Sequence, residues 1–336
     1  MKRNGQIKTP TSVDVARLAG VSQSIVSLVF SGKDGGRITP ERRQAVLDAA
    51  EQIGYRPNSA ARGLKLGTQR LLALVVPDVS NPYFAAVLKF AAAAARKQGY
   101  ATVLINADQD QIEDAEHLIM SLSTHSFDGL IAWDAPWVSR VKEVLPASVV
   151  IVDGDVSDGA DVFISSTRII RMAVDHMAAL GHRRIARLGI SLRIPTFRAR
   201  AQAFRDSLHA HGLEFNENFE VEVPFGATSS ERLTELLQMQ EYPTAVVCDD
   251  DLLAPLVYRA AIRAGRRIPE DVSVIGVDDI ALASLLEPPL TTIVIPAQTL
   301  AEVSVEVALK KLRGQSETVR VMDIELVVRG STASIK

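Results

Sequence analysis

Cysteine is nearly missing from this 336-residue chain: Cys248 stands alone, so no internal disulfide framework holds the fold. Metal-ligand spacing is missing as well. The six histidines, His117, His125, His176, His182, His209 and His211, form no metal-binding cluster, and no metal or cofactor is expected. There is no phosphate-binding P-loop and no G-x-S-x-G nucleophile elbow, which leaves catalysis with little support. No apolar stretch approaches the roughly 20 residues that cross a bilayer. The opening MKRNGQIKTP is basic but leads into short capped helices rather than an apolar signal core, so the expected location is the cytoplasm.

What the chain does have begins at Thr11. Thr11 and Asp14 have the spacing of a capping box, with the hydroxyl available to an orphan N–H and the carboxylate near the positive end of a helix. Val13, Val15, Ala16 and Leu18 supply a short apolar face. Gly20 permits a tight turn, Val21 plugs the angle, and Ser22 can cap a second helix whose Ile25, Val26 and Val29 face inward. Gln23, Ser24, Ser27 and Leu28 are left for the exposed face. Thr39, Pro40 and Glu41 open a third helix, striped by Ala45, Val46, Ala49 and Ile53. This spacing also fits an ordinary three-helix structural domain, and charge separates the two readings. Residues 1–67 carry eleven Lys/Arg against five acids, a net of +6 in a chain whose total is −3, so the remainder holds −9. A basic head on an acidic body is the electrostatic footprint of phosphate contact.

Beyond Arg70, short apolar runs alternate with amphipathic stretches. RLLALVVPDV, ATVLINAD, FDGLIAWD, SVVIVDGD and DVFISS read as strands, and so do RRIARLGI, EVEVPF, PTAVVCDDD, VSVIGVDD and TTIVIP. Segments such as YFAAVLKFAAAAARKQGY read as helices. The alternation predicts parallel sheets, their strands buried on both faces, and its length predicts two doubly wound α/β lobes rather than one sheet.

Several motifs in order carry a family resemblance. DVARLAGVS, ITPERRQAVLDAAEQIGYRPN and AARGLK, followed by VVPDVSNPYF, FDGLIAW, ALGHRRIA, EDVSVIGVDDIALASLLEPPLTTI and ELVVRGSTA, resemble the LacI (lactose repressor) family of bacterial transcription regulators over almost the whole chain. The resemblance implies an all-α helix–turn–helix headpiece at 1–56, a hinge segment at 57–69 and an α/β core at 70–336 with the fold of periplasmic sugar-binding proteins. It also implies three crossings between lobes, near Ser165, Pro296 and Glu325. The N-terminal lobe then takes about 70–164 and 297–325, and the C-terminal lobe about 165–296 and 326–336.

The same resemblance lays the second helix in the major groove, with Gln23, Ser24 and Leu28 at base-reading positions and Thr11, Ser12, Ser22 and Ser27 among the DNA contacts. Gln can bond adenine bidentately, and Ser can serve several bases. Leu28 stands where a polar or basic residue is common; contact with a thymine methyl and inward packing both remain open. In the hinge, Asn58, Ala61, Arg62 and Leu64 are the expected contacts, with the leucine wedged into the minor groove where two hinge helices pair. A helix this short is marginal in water, and Gly63 weakens it by about 1 kcal/mol more. The alternative is a flexible linker with one incidental leucine.

Open α/β sheets bind ligands at the carboxyl ends of their strands. Here those ends are acidic: Asp78, Asp108, Asp134, Asp153, Asp250 and Asp278. Any one of them can instead be a cap or turn former. Position within the family selects Asn81, Phe84, Arg200, Asp250 and Asp278 as effector contacts, with Asp153 and the ring of Trp133 as further candidates and Trp137 as a weaker one. Asp250 falls where the family usually has Asn, and Ser165-Ser166 where many relatives carry Asp-Asn. An ionised Asp only accepts, whereas Asn also donates. The pocket is therefore expected to favour a donor-rich ligand, a polyol or amino sugar, over a phosphorylated sugar, unless Arg200 neutralises Asp250.

The combined expectation is a dimeric transcription regulator, a repressor, that reads a pseudo-palindromic operator in double-stranded DNA. A small effector, a sugar or polyol bound between the lobes, sets its operator affinity. A regulator with a remodelled pocket that needs a co-repressor, or no ligand, is the alternative. A pure sugar-binding protein would need secretion, against which the headpiece argues. No membrane partner is expected, and no heptad extension follows RGSTA to suggest a tetramer.

Overall fold

The structure is a computed structural model and describes residues 10–31, 36–56, 68–107, 117, 127–133, 138–144, 149–153, 159–191, 195–224, 226–228, 230–315 and 318–335. The chain divides into two compact units, Met1–Gln69 and Arg70–Lys336. The expected hinge contacts Asn58, Ala61, Arg62 and Leu64 lie outside the described residues, as do Asp108, Asp134 and Trp137.

The first unit holds α1 (Ser12–Leu18), α2 (Gln23–Ser31) and α3 (Pro40–Gln52). Thr11 caps α1 reciprocally: its hydroxyl accepts the Asp14 N–H at 3.4 Å, and the Asp14 carboxylate accepts the Thr11 N–H at 3.0 Å. Gly20, with φ of 62°, supplies the left-handed residue of the turn into α2. Val15, Ala16, Val26, Val29, Val46 and Ala49 meet in one small aliphatic core. Two expectations are corrected here. Val13 and Leu18 are 52% and 46% exposed, because at about 100° per residue the positions 13, 15, 16 and 18 spread around the helix and cannot share a face. On α3 the exposed residue is Ala45, and Ala50 takes its place in an i, i+3, i+4, i+7 stripe with Val46, Ala49 and Ile53.

The second unit contains two six-stranded sheets. Its elements in chain order are β1 (Leu71–Val76), α4 (Pro82–Lys97), β2 (Ala101–Asn106), β3 (Gly129–Trp133), α5 (Val138–Val144), β4 (Val149–Val152) and β5 (Val162–Phe163). There follow α6 (Ser166–Ala179), β6 (Ile185–Ile190), α7 (Pro195–Ala210), β7 (Glu220–Val223), α8 (Glu231–Gln238), β8 (Ala245–Cys248) and α9 (Ala254–Arg263). The last are β9 (Ser273–Asp278), α10 (Ala281–Leu285), β10 (Thr291–Val294), α11 (Ala297–Leu312), β11 (Arg320–Val321) and β12 (Glu325–Val327). Strand order is β11-β5-β4-β3-β1-β2 in the first sheet and β12-β10-β9-β8-β6-β7 in the second.

Every pairing is parallel except that of β12 with β10. That exception follows from the route of the chain. It leaves the carboxyl end of β11 and enters the second sheet after three residues, too few for the crossover that a parallel strand needs. The other passages between sheets lie between Phe163 and Ile185 and between Val294 and Arg320, and each includes a helix.

Period-two alternation assigns the strand faces. On β1, Leu72, Leu74 and Val76 pack into the cluster that includes residues of α4 and α11, while Ala73 and Val75 join a second cluster on the other face. On β6, Ala186, Leu188 and Ile190 share one face, which leaves Ile185, Arg187 and Gly189 on the opposite one. β2 departs from the expected near-continuous burial: Val103 and Leu104 are 38% and 45% exposed, as its place at the sheet edge with a single neighbour, β1, allows.

Candidate functional site

On the headpiece, Gln23, Ser24 and Ser27 lie exposed on α2, with Thr11 and Ser22 exposed nearby in sequence. The Gln23 amide donates to the Ser12 hydroxyl at 2.9 Å, and the Ser22 and Ser24 hydroxyls meet at 2.8 Å. These side chains are held in a polar surface network that spans the start of both helices. Leu28 is half-buried and packs against the headpiece core.

In the second unit, a cavity of about 60 Å³ opens where the strands of both sheets end. Asn81, Phe84, Trp133, Asp153, Arg200, Asp250 and Asp278 all line it. Six of them are placed by a strand terminus or a helix start, and Arg200 by the second turn of α7. Asn81 caps α4 after β1, accepting the Tyr83 N–H at 2.9 Å, and Phe84 follows in the first turn. Trp133 ends β3, and Phe84 meets its ring edge to face at 5.4 Å between centroids. Asp153 follows β4, and Asp278 closes β9, both with positive φ (61° and 106°). Backbone held in sparsely populated regions at two facing strand ends marks a site whose surroundings over-determine it. Asp250 caps a single 3₁₀ turn after β8, accepting the Leu252 N–H at 2.7 Å, and the Asn81 amide reaches it from the other sheet at 3.0 Å.

Arg200 does not pair with these acids. Its Nη1 donates to the backbone carbonyl of Asp249, and the guanidinium lies 5.6 Å from the Phe197 ring centroid. Among the described residues, its buried Nε and the buried Tyr83 Oη have no hydrogen-bond partner. Burial raises the Asp250 and Asp153 carboxyls, with Arg200 pulling both down. Burial, followed by the charge of Asp250, holds Asp278 well above the usual carboxylate range.

Residues 12–58 match the family model of bacterial regulatory proteins of the lacI family, and residues 174–332 match that of a periplasmic binding protein-like domain. The chain is 30% identical over 335 residues to the HTH-type transcriptional repressor PurR of Photobacterium profundum, covering 97% of this chain and 99% of that one. The chain belongs to the LacI family of bacterial regulatory proteins. It is 28% identical to the HTH-type transcriptional repressor CytR of Escherichia coli over the full length of both. Its fold matches that of the lac repressor dimer bound to operator and the anti-inducer ONPF, with TM-score 0.85, 25% identity and coverage of 97% and 100%. The transcriptional regulator CelR, in complex with cellobiose, matches with TM-score 0.68 and 27% identity, covering 96% of this chain and 99% of that one. As a LacI-family protein the chain is a DNA-binding transcriptional repressor and not an enzyme.

Sequence reasoning missed part of the LacI-family chain's cavity. Tyr83, Thr196 and Phe197 line it beside Pro77, Ile164 and Ile295. Thr196 had a legible signal, since it precedes Arg200 by one helical turn on α7, and its hydroxyl donates to Asp153 at 3.1 Å. Arg187 had none. It is fully buried on β6 and grips Asp249 with two nitrogens, Nε to Oδ1 at 3.0 Å and Nη2 to Oδ2, while Nη1 donates to Glu220 at 3.0 Å. Asp249 is thus neutralised by Arg187, and its carbonyl is left to anchor Arg200.

Two histidines tie neighbouring elements together. His182 bridges Thr244, Ser273 and the Ala333 carbonyl at 3.0–3.1 Å, and burial lowers its pKa. His211 meets Asp175 at 2.6 Å on the surface. Among the described residues no single helix is long and apolar enough to cross a membrane.

Proposed function

We propose that the repressor senses its effector, a sugar or polyol, in the cavity between the two sheets, through Asn81, Phe84, Trp133 and Asp153 on one side and Arg200, Asp250 and Asp278 on the other. The observation that carries this reading is the convergence of seven polar and aromatic side chains, from both sheets, on one cavity at the strand ends. At about 60 Å³ the cavity holds a few waters and not a sugar, against the roughly 300–1,000 Å³ of common ligand sites. Binding an effector therefore requires the sheet ends to part, which gives the ligand a preference for one arrangement of the lobes. A preference of about 1–3 kcal/mol is enough to change operator affinity appreciably.

We assign the lobes to about 70–164 with 297–325 and about 165–296 with 326–336, following in sequence a headpiece at 1–56 and a hinge at 57–69. Gln23, Ser24 and Ser27 read base edges, and Thr11, Ser12 and Ser22 position the headpiece on the backbone. The protein works in the cytoplasm.

Selection of operators from random duplexes with the full-length protein tests the DNA half of this reading. An inverted repeat is expected, and Gln23→Ala is expected to relax one position in each half-site, at about 1–3 kcal/mol of discrimination. A preference unchanged in both Gln23→Ala and Ser24→Ala would remove α2 from base reading. For the cavity, Arg200→Ala is expected to abolish the effector response and to leave operator binding without effector intact.

A further inference from the structure

The charges around the cavity do not balance. Among its described lining residues Arg200 is the one cation, and the carboxyls of Asp250 and Asp278 outnumber it even with Asp153 left aside. Asp249 takes no share of the surplus, because Arg187 matches it. Asp250 accepts from neutral groups, the Asn81 amide and the Leu252 N–H. Two further atoms define what else a ligand must bring. Arg200 Nε is a donor and asks for an acceptor; Tyr83 Oη accepts or donates; both are buried without a partner on residues that are 7% and 6% exposed.

We infer that the effector is a polyhydroxylated amine, an amino sugar or aminopolyol with one positive charge, rather than a neutral or phosphorylated sugar. This rests on the reading of the cavity as the effector site. Its ammonium faces Asp250 and Asp278 and replaces the missing counter-charge. A hydroxyl or ring oxygen accepts from Arg200 Nε, which a simple alkylamine leaves unmet. The rings of Phe84 and Trp133 cover the apolar face of the ligand. A phosphate, by contrast, adds about −1.5 to −2 charges to a pocket whose carboxyls already outnumber its described guanidinium. Burial raises both carboxyls, and a cation placed against them favours their charged forms.

The test is calorimetric titration of the full-length protein with D-glucosamine, D-galactosamine and 1-deoxynojirimycin, each beside D-glucose or D-galactose, and with glucose 6-phosphate. At least one amine is expected to bind ten-fold or more tightly than its neutral counterpart. That advantage is expected to fall below three-fold in Asp278→Asn and in Asp250→Asn, each of which keeps the side-chain shape; Asn also tolerates the positive φ at 278. Failure of every amine, or an amine advantage that survives in both variants, overturns the inference. If a neutral or phosphorylated sugar binds best and Trp133→Ala abolishes its binding, the charge assignment falls and the cavity reading stands. Binding that is indifferent to Trp133→Ala, Asp250→Asn and Asp278→Asn overturns both.

Discussion

The two walls of the cavity differ in chemistry. The first sheet contributes a mostly neutral, aromatic wall, in which Tyr83, Phe84 and Trp133 meet edge to face and Asn81 adds an amide. The second contributes charge: Arg200, Asp250 and Asp278, with the Arg187–Asp249 pair adjoining them. Asp153 is the exception on the aromatic side, and Thr196 ties it across to α7. The contrast teaches that shape and charge are recognised by different parts of the chain. One wall can be retuned while the other is kept.

That contrast breaks hardest at Arg187. Arg187→Met leaves the Asp249 carboxylate buried without its partner, and urea unfolding is expected to show a loss of about 3–5 kcal/mol. Adding Asp249→Leu is expected to recover most of it, because two apolar side chains replace both charges. A loss below about 1 kcal/mol in the single variant would mean that the charged wall does not depend on this pair.

Asp251 sharpens the comparison through pH. It sits behind the charged wall, accepting from Thr292 at 2.6 Å and from the Ile280 N–H at 3.0 Å, and burial raises its carboxyl to about 7. The unfolded chain ionises near ~3.9. The folded state thus keeps a proton that the unfolded state has lost, and stability falls as pH rises through this window, by roughly 1.4 kcal/mol per unit. Asp251→Asn mimics the protonated form, with an oxygen for Ile280 and an N–H for Thr292. Its unfolding free energy is expected to depend less on pH between about 4 and 7 than that of the parent; equal slopes would contradict the assignment.

Smaller effects belong to the aromatic wall and to the headpiece. Phe84→Leu removes two edge contacts and is expected to cost about 1–2 kcal/mol, weakening charged and neutral ligands alike. If it changes discrimination between amine and neutral sugar, the two walls are not separable. Thr11→Ala removes the α1 cap and is expected to cost the headpiece about 1 kcal/mol, read by its thermal transition, with ligand affinity unchanged.

Local patterns made much of this molecule legible. The caps at Thr11 and Thr39 act as their spacing suggests, and the alternation after Arg70 marks strands of which three acidic ends, Asp153, Asp250 and Asp278, meet at one cavity, while Asp78 forms a turn with Ser80 instead. The failures have physical causes. Apolar residues at 13, 15, 16 and 18 look like a face on paper but spread around a helix of 3.6 residues per turn. The strand β2 is apolar enough to be central, yet its place at the edge depends on which strands pair, and pairing is not local. Arg187 lies in RRIARLGI as one arginine among three, and its partner Asp249 is 62 residues away. Nothing short of the fold itself brings them together.

Gly189 shares a strand face with Arg187, and a β-carbon there would stand 2.6 Å from the guanidinium. The arginine therefore occupies space that only a glycine two positions along the same strand can concede. Inheritance of the pair is then ordered. A lineage acquiring the buried arginine must already carry the glycine, and one that replaces the glycine must first release the arginine and its carboxylate partner. Among descendants of this chain, positions 187, 189 and 249 are expected to change as a set, with glycine the first to appear and the last to go.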